Sequence, residues 1–162
     1  MNFHNITKED MLNGDGLRVV LWTAGCSHCC KGCHNPITWD ANGGVPFDSV
    51  AEEELFESLD KSYIDGITFS GGDPLFPGNR AEITRLIKKC AQLHPSKTIW
   101  LYTGYLWEEV KDLECIKYLD VLADGEFVEE LKDNNIQWVG SSNQRVIDVK
   151  KSLAANKVIL HV

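Results

Sequence analysis

Four of the six cysteines fall within the eight residues 26–33, in the stretch Gly25-Cys26-Ser27-His28-Cys29-Cys30-Lys31-Gly32-Cys33-His34-Asn35. Read as Cys26-x3-Cys30-x2-Cys33, the run places three thiolates on one loop. A cubane iron-sulfur cluster has four irons, so three protein ligands leave one iron open to a substrate. A four-cysteine set would instead make a closed electron carrier or a structural zinc knot. The same three thiolates with His28 or His34 also fit a Cys3His zinc site, and ligand softness does not separate the two metals. A disulfide pair suits the crowded loop less well than a metal does. Cys29 breaks no spacing and reads as a bystander.

What flanks the loop narrows the choice. The apolar, β-rich run Leu17-Arg18-Val19-Val20-Leu21-Trp22-Thr23 precedes it, which puts the cysteines at the carboxyl end of a strand. A second strand, Gly66-Ile67-Thr68-Phe69-Ser70, runs into Gly71-Gly72-Asp73-Pro74. Loops at strand ends in a βα series face the same way, so the two loops are expected at one mouth.

These two motifs, in this order, resemble the marks of the radical S-adenosylmethionine enzymes: Cys-x3-Cys-x2-Cys and a Gly-Gly-Glu/Asp-Pro loop. A narrower resemblance extends over almost the whole chain. It rests on Asn13-Gly14-Asp15-Gly16, Gly32-Cys33-His34-Asn35-Pro36 with Thr38-Trp39, Ser70-Gly71-Gly72-Asp73-Pro74-Leu75, Trp100-Leu101-Tyr102-Thr103-Gly104-Tyr105, Asp124-Gly125 and Gly140-Ser141-Ser142-Asn143-Gln144-Arg145. Together these are similar to the activating enzymes of the anaerobic, class III ribonucleotide reductases. The chain departs from that pattern at Asp15, where proline is expected, at Cys29, and in a longer tail after Arg145.

The resemblance implies a [4Fe-4S] cluster on Cys26, Cys30 and Cys33, with S-adenosylmethionine chelating the open iron through its amine and carboxylate. Gly71 and Gly72 let backbone approach that ligand closely, and Asp73 sets a carboxylate opposite its ammonium. Gly32, Cys33 and His34 are assigned to the adenosine side. The implied reaction forms a 5'-deoxyadenosyl radical that takes the α-hydrogen of a glycine in the reductase. An activator of another glycyl-radical enzyme and a non-catalytic zinc-binding interaction module are the alternatives. Cys90 and Cys115 stand alone, so there is no second cysteine cluster, and electrons are expected from a separate carrier such as a flavodoxin.

At 162 residues the chain is expected to form one domain, short of the roughly 250 residues of a full eight-fold barrel. Sixteen basic against 24 acidic residues give −8, which disfavours a nucleic-acid surface. No apolar run approaches the ~20 residues of a membrane span, and the start has no basic-then-apolar leader, so a cytosolic protein is expected.

Residues 1–16 read as a polar lead-in rich in turn formers. Asp48 or Ser49 is expected to cap a helix that buries Ala51, Leu55 and Leu59, with Ser49 and Glu52 at capping-box spacing. A helix over about 79–93 carries Ile83, Leu86, Ile87 and Cys90 on one stripe. Strands are expected at 98–103, 120–125 and 136–139, and helices at 106–119 and from 141–143 to about 154. Residues 158–162 are expected to close the edge of the sheet. The fold class is therefore α/β: an incomplete βα barrel with a mostly parallel sheet of five or six strands.

Overall fold

The computed structural model describes residues 1–162. Strands β1 (Asn2–Asp10), β2 (Arg18–Thr23), β3 (Val45–Pro46), β4 (Gly66–Gly71), β5 (Thr98–Tyr102), β6 (Val121–Asp124) and β7 (Arg145–Asp148) alternate with helices α1 (Ser49–Leu59), α2 (Arg80–Leu93), α3 (Trp107–Val110) and α4 (Val149–Ala155). They form one seven-stranded sheet in the order β3-β1-β2-β4-β5-β6-β7. The pairs β2–β4, β4–β5 and β5–β6 are parallel, whereas β1–β2, β1–β3 and β6–β7 are antiparallel. The sheet is thus mixed and open, with seven strands rather than five or six. The sheet does not close toward a barrel, and the parallel pairing expected of most of it is confined to its four central strands.

Those four strands are buried on both sides, which is why they read as continuous apolar runs. In register, Leu21 lies beside Phe69, Phe69 beside Leu101, and Leu101 beside Leu122. This row joins Leu55, Ile83, Leu86, Ile87 and Cys90 from α1 and α2 in one core cluster. The next row in register, Trp22, Ser70, Tyr102 and Ala123, points to the opposite face because strand side chains alternate. That second row floors the functional cavity.

The amino end of this second face is closed by Arg18, which is fully buried. Its guanidinium donates to Thr68 Oγ1 (2.8 Å), Thr98 Oγ1 (2.8 Å) and the carbonyls of Asp15, Ile67 and Thr98, and lies 5.4 Å from the centroid of Trp100. Burial lowers its pKa to about 10, although Asp15, Asp120 and Asp65 pull the other way.

Four expectations need correction. Residues 2–10 of the supposed lead-in form β1, antiparallel to β2; only Ile6 and Asp10 of it are buried, so it carries almost no apolar signal. The helix expected over 106–119 is a single turn, α3, followed by a 3-10 segment at Glu114–Tyr118, because Leu113 takes extended dihedrals between them. Residues 136–139 form no strand, and Trp138 adopts φ +74°. Residues 141–144 do not cap a helix: the chain enters β7, and α4 begins only at Val149, capped by Asp148 Oδ1 accepting from Lys151 N at 2.9 Å. The tail meets β7 through one bridge, Ile147 to Leu160. α1 is capped by Asp48, whose Oδ1 accepts from Ala51 N at 2.9 Å.

Candidate functional site

The cysteine loop leaves β2 and the Gly-Gly-Asp-Pro loop leaves β4, so neighbouring parallel strands deliver both to the same edge. The loops bond to one another directly. The Gly72 amide donates to the Thr23 carbonyl and the Asp73 amide to the Gly25 carbonyl, each at 2.8 Å. A Cβ at Gly72 would lie 2.5 Å from the Gly25 oxygen and 2.7 Å from the Thr38 oxygen, so a larger residue would force the loops apart. The expectation that they share one mouth holds.

A cavity of about 440 Å³ opens at this junction. Cys26, Cys30 and Cys33 line it together with His34, Gly71, Gly72 and Asp73, whereas Cys29 and Gly32 do not. Cys29 is exposed, at φ +52°. Gly32, at φ +78°, turns the chain beside the Glu129 side chain, away from the cavity. All six cysteines are free; Cys90 and Cys115 are buried, Cys90 in α2 and Cys115 in the 3-10 segment below the sheet. Burial pushes the Cys26 thiol up to about 11. It also raises the Cys30 thiol. The Cys33 sulfur accepts from the Asn35 amide at 3.4 Å.

Asp73 is almost wholly buried, at 1% exposure. Its carboxylate accepts from Thr103 Oγ1 (2.9 Å to each oxygen), the Gly104 amide (2.9 Å) and the Leu75 amide (2.8 Å), and lies 2.7 Å from His28 Nε2. A carboxylate has about four acceptor positions, so the chain's own donors fill this one. Sequence reasoning, which gave Asp73 to a ligand ammonium, did not foresee that saturation. It also treated His28 only as a possible zinc ligand. Here the imidazole sits between Asp73 and Glu126 Oε1 (3.2 Å) and packs edge-on against Tyr105 at 4.6 Å. The Asp73 hydrogen bond raises the His28 pKa, with Glu126 adding to it and burial opposing. The signal for this arrangement was present in Thr103-Gly104, where a Cβ at Gly104 would collide with the His28 ring.

Two comparisons with known proteins bear on this site. A family model described as a 4Fe-4S single cluster domain matches residues 12–147. An anaerobic ribonucleoside-triphosphate reductase-activating protein of Enterobacteria phage T4 is 47% identical over 146 residues, covering 90% of this chain and 93% of that protein. Proteins of the same name from Escherichia coli K12 and Haemophilus influenzae are 41% and 38% identical, over 90% and 89% of this chain and 97% and 96% of theirs. The chain belongs to this family of reductase-activating proteins.

The residues present fit the 4Fe-4S cluster of the family. Three free thiols line one cavity from a single loop, and the fourth cysteine of the run turns away. Of the two histidines the zinc alternative would use, His28 is engaged by two carboxylates, and the matching family model is a 4Fe-4S one. Glycine backbone and the Trp22, Ser70, Tyr102 and Ala123 floor leave room beside the thiols for the S-adenosylmethionine of the family's chemistry. Glu126, Trp138 and Gln144 also line the cavity, and none was marked as a site residue by spacing alone. No helix is long and apolar enough to cross a membrane.

Proposed function

We propose that residues 1–162 act as one radical S-adenosylmethionine domain that installs a glycyl radical on an anaerobic ribonucleoside-triphosphate reductase. The observation that carries this reading is the direct bonding of the cysteine loop to the Gly-Gly-Asp-Pro loop at the mouth of one cavity. A reduced [4Fe-4S] cluster with S-adenosylmethionine, when bound, supplies a 5'-deoxyadenosyl radical able to take the α-hydrogen of a glycine.

The work left to this chain is binding, orientation and exclusion of water. Cys26, Cys30 and Cys33 hold the cluster. Gly71 and Gly72 admit the amino-acid end of the cofactor against backbone. Asp73 faces its ammonium, a contact that requires one of its present donors to give way, and His28 is the only one of these carried by a side chain of the cysteine loop. His34 and Cys33, on the cavity wall, serve the adenosine side, and Gly32 contributes there by turning the loop. The open face of the sheet leaves a way in for a loop of another protein, and docking of that partner selects the carbon attacked.

Electrons come from a separate donor such as a flavodoxin, since the chain has no second cysteine cluster. Neither nucleic acid nor membrane is a partner in this reading, as the net charge of −8 and the absence of a spanning helix support, and the protein works in the cytoplasm.

The test mixes the reduced, reconstituted protein with S-adenosylmethionine and a cognate reductase without oxygen. The expected result is a glycyl EPR doublet on the reductase together with 5'-deoxyadenosine. Cofactor cleavage without a radical on the reductase, and with one on a different glycyl-radical enzyme, overturns the choice of partner.

A further inference from the structure

The cavity divides by depth into a charged mouth and a neutral floor. His28, His34, Asp73 and Glu126 line it from loops beyond the ends of β2, β4 and β6. The groups assigned above to the cofactor also lie at or beyond a strand end. Lower down lie Asn13, Trp22, Ser70, Tyr102, Ala123 and Trp138, none of them charged. Two contacts fix that level. The Asn13 carbonyl accepts from Thr68 Oγ1, two residues before Ser70, at 2.7 Å, and the Trp138 ring meets Trp100, two residues before Tyr102, at 5.6 Å.

Donors on this floor are committed elsewhere at Trp22, whose Nε1 donates to Thr7 Oγ1 at 2.8 Å, and at Asn13, whose Nδ2 donates to the Asp10 carboxylate at 3.1 Å. The Tyr102 hydroxyl differs. It is buried and has no hydrogen-bond partner in the protein. A buried hydroxyl is rarely left unpaired, so one carried into a cavity points to a partner that binds there. Burial raises its pKa, so the group stays a phenol with a proton to give. An anionic ligand finds no cation here, because Arg18, beneath the floor, is filled by its own acceptors. An uncharged main chain fits: a backbone carbonyl takes the proton, and a glycine brings no side chain against the rings of Trp22 and Trp138.

We infer that the Tyr102 hydroxyl anchors the partner: it donates to a main-chain carbonyl of the glycine segment that enters the cavity. This deepens the radical-transfer reading and rests on it. With the cofactor held by the loops at the mouth, the floor is the space that remains for the segment. One hydrogen bond there sets how deep the segment lies, and depth decides which carbon comes within reach.

Tyr102→Phe, which removes only the hydroxyl, tests this against the parent. The metal-free variant should unfold in urea at or above the parent's midpoint, since the hydroxyl has no partner in the protein to lose. After reconstitution, iron content and the affinity for S-adenosylmethionine by calorimetry should be the parent's. The reductase concentration that half-saturates radical formation should rise about three- to tenfold, as loss of one neutral hydrogen bond implies. Fewer glycyl radicals should form per 5'-deoxyadenosine released. A variant less stable than the parent would show that the hydroxyl has an internal partner, and overturns the inference. Weaker cofactor binding with parental half-saturation overturns it too, by giving the hydroxyl to the cofactor, as does a variant parental in every respect. A parent that releases 5'-deoxyadenosine but leaves no radical on the reductase defeats the radical-transfer reading itself, and the anchor with it.

Discussion

The two loops that build the site leave adjacent parallel strands and bond to one another, yet they are finished by different means. Residues 71–75 are complete as protein: Asp73 is buried, and its carboxylate is filled by Thr103, Gly104, Leu75 and His28. Residues 26–33 are not. Cys26, Cys30 and Cys33 are half-buried and Cys29 is exposed, Cys29 and Gly32 sit at positive φ, and burial holds the Cys26 proton on up to about 11. A carboxylate has enough donors within a chain to be satisfied, whereas a thiol must give up its proton to become a metal ligand, and metal binding supplies that exchange. The Gly-Gly-Asp-Pro loop is therefore held by the chain's own bonds, and the proposed function expects the cysteine loop to gain order from the cluster it binds.

The severest way to break this contrast is to remove single sulfurs. Cys26→Ala, Cys30→Ala and Cys33→Ala should each abolish retention of iron and sulfide after anaerobic reconstitution. Cys29→Ala, Cys90→Ala and Cys115→Ala should retain both. A cluster lost in Cys29→Ala and kept in Cys30→Ala would show that a different triad binds. Hydrogen exchange sharpens the contrast further. Comparing metal-free with reconstituted protein, amides in 26–35 should gain strong protection while those in 71–75, already bonded, should change little. Equal gains in both loops would contradict the contrast.

A smaller effect is expected at Asp73. In Asp73→Ala the buried Thr103 hydroxyl and the Gly104 and Leu75 amides lose their acceptor, and metal-free stability should fall by about 1–3 kcal/mol in urea titration. Cys30→Ala should leave the metal-free curve near the parent's. Iron content should survive Asp73→Ala, while affinity for S-adenosylmethionine drops about ten- to a hundredfold by calorimetry, as loss of a charge-assisted bond implies. Unchanged affinity would mean that the carboxylate serves only its internal donors.

What could be read from the sequence follows a physical line. The core strands and α1 and α2 were legible because burial on two faces, or on one stripe, writes itself as apolar runs such as Val19-Val20-Leu21 or as Ile83, Leu86, Ile87 and Cys90. β1 was not, since an edge-side strand that buries Ile6 and Asp10 has no such run. Residues 140–144 were misread for another reason: their conformation is set by the side-chain bonds of Gln144 and not by periodicity. Within the site, Cys26, Cys30, Cys33, Gly71 and Gly72, marked from spacing, come to one cavity, and the close approach seen at Gly71 and Gly72 is to the backbone of Thr23 and Gly25. The partners of Asp73 were not legible, because hydrogen bonds between residues 28, 73 and 103 are made only when three strand ends meet.

The central claim is that three thiolates from one loop hold a cluster with an iron left open toward the Gly-Gly-Asp-Pro loop. EPR of the dithionite-reduced, reconstituted protein, recorded with and without S-adenosylmethionine alongside iron analysis, tests it most directly. The account predicts about four irons per chain, as in the matched 4Fe-4S domain, and a reduced-cluster signal that changes on adding the cofactor. A colourless protein carrying about one zinc, or a cluster whose signal ignores the cofactor, would contradict it.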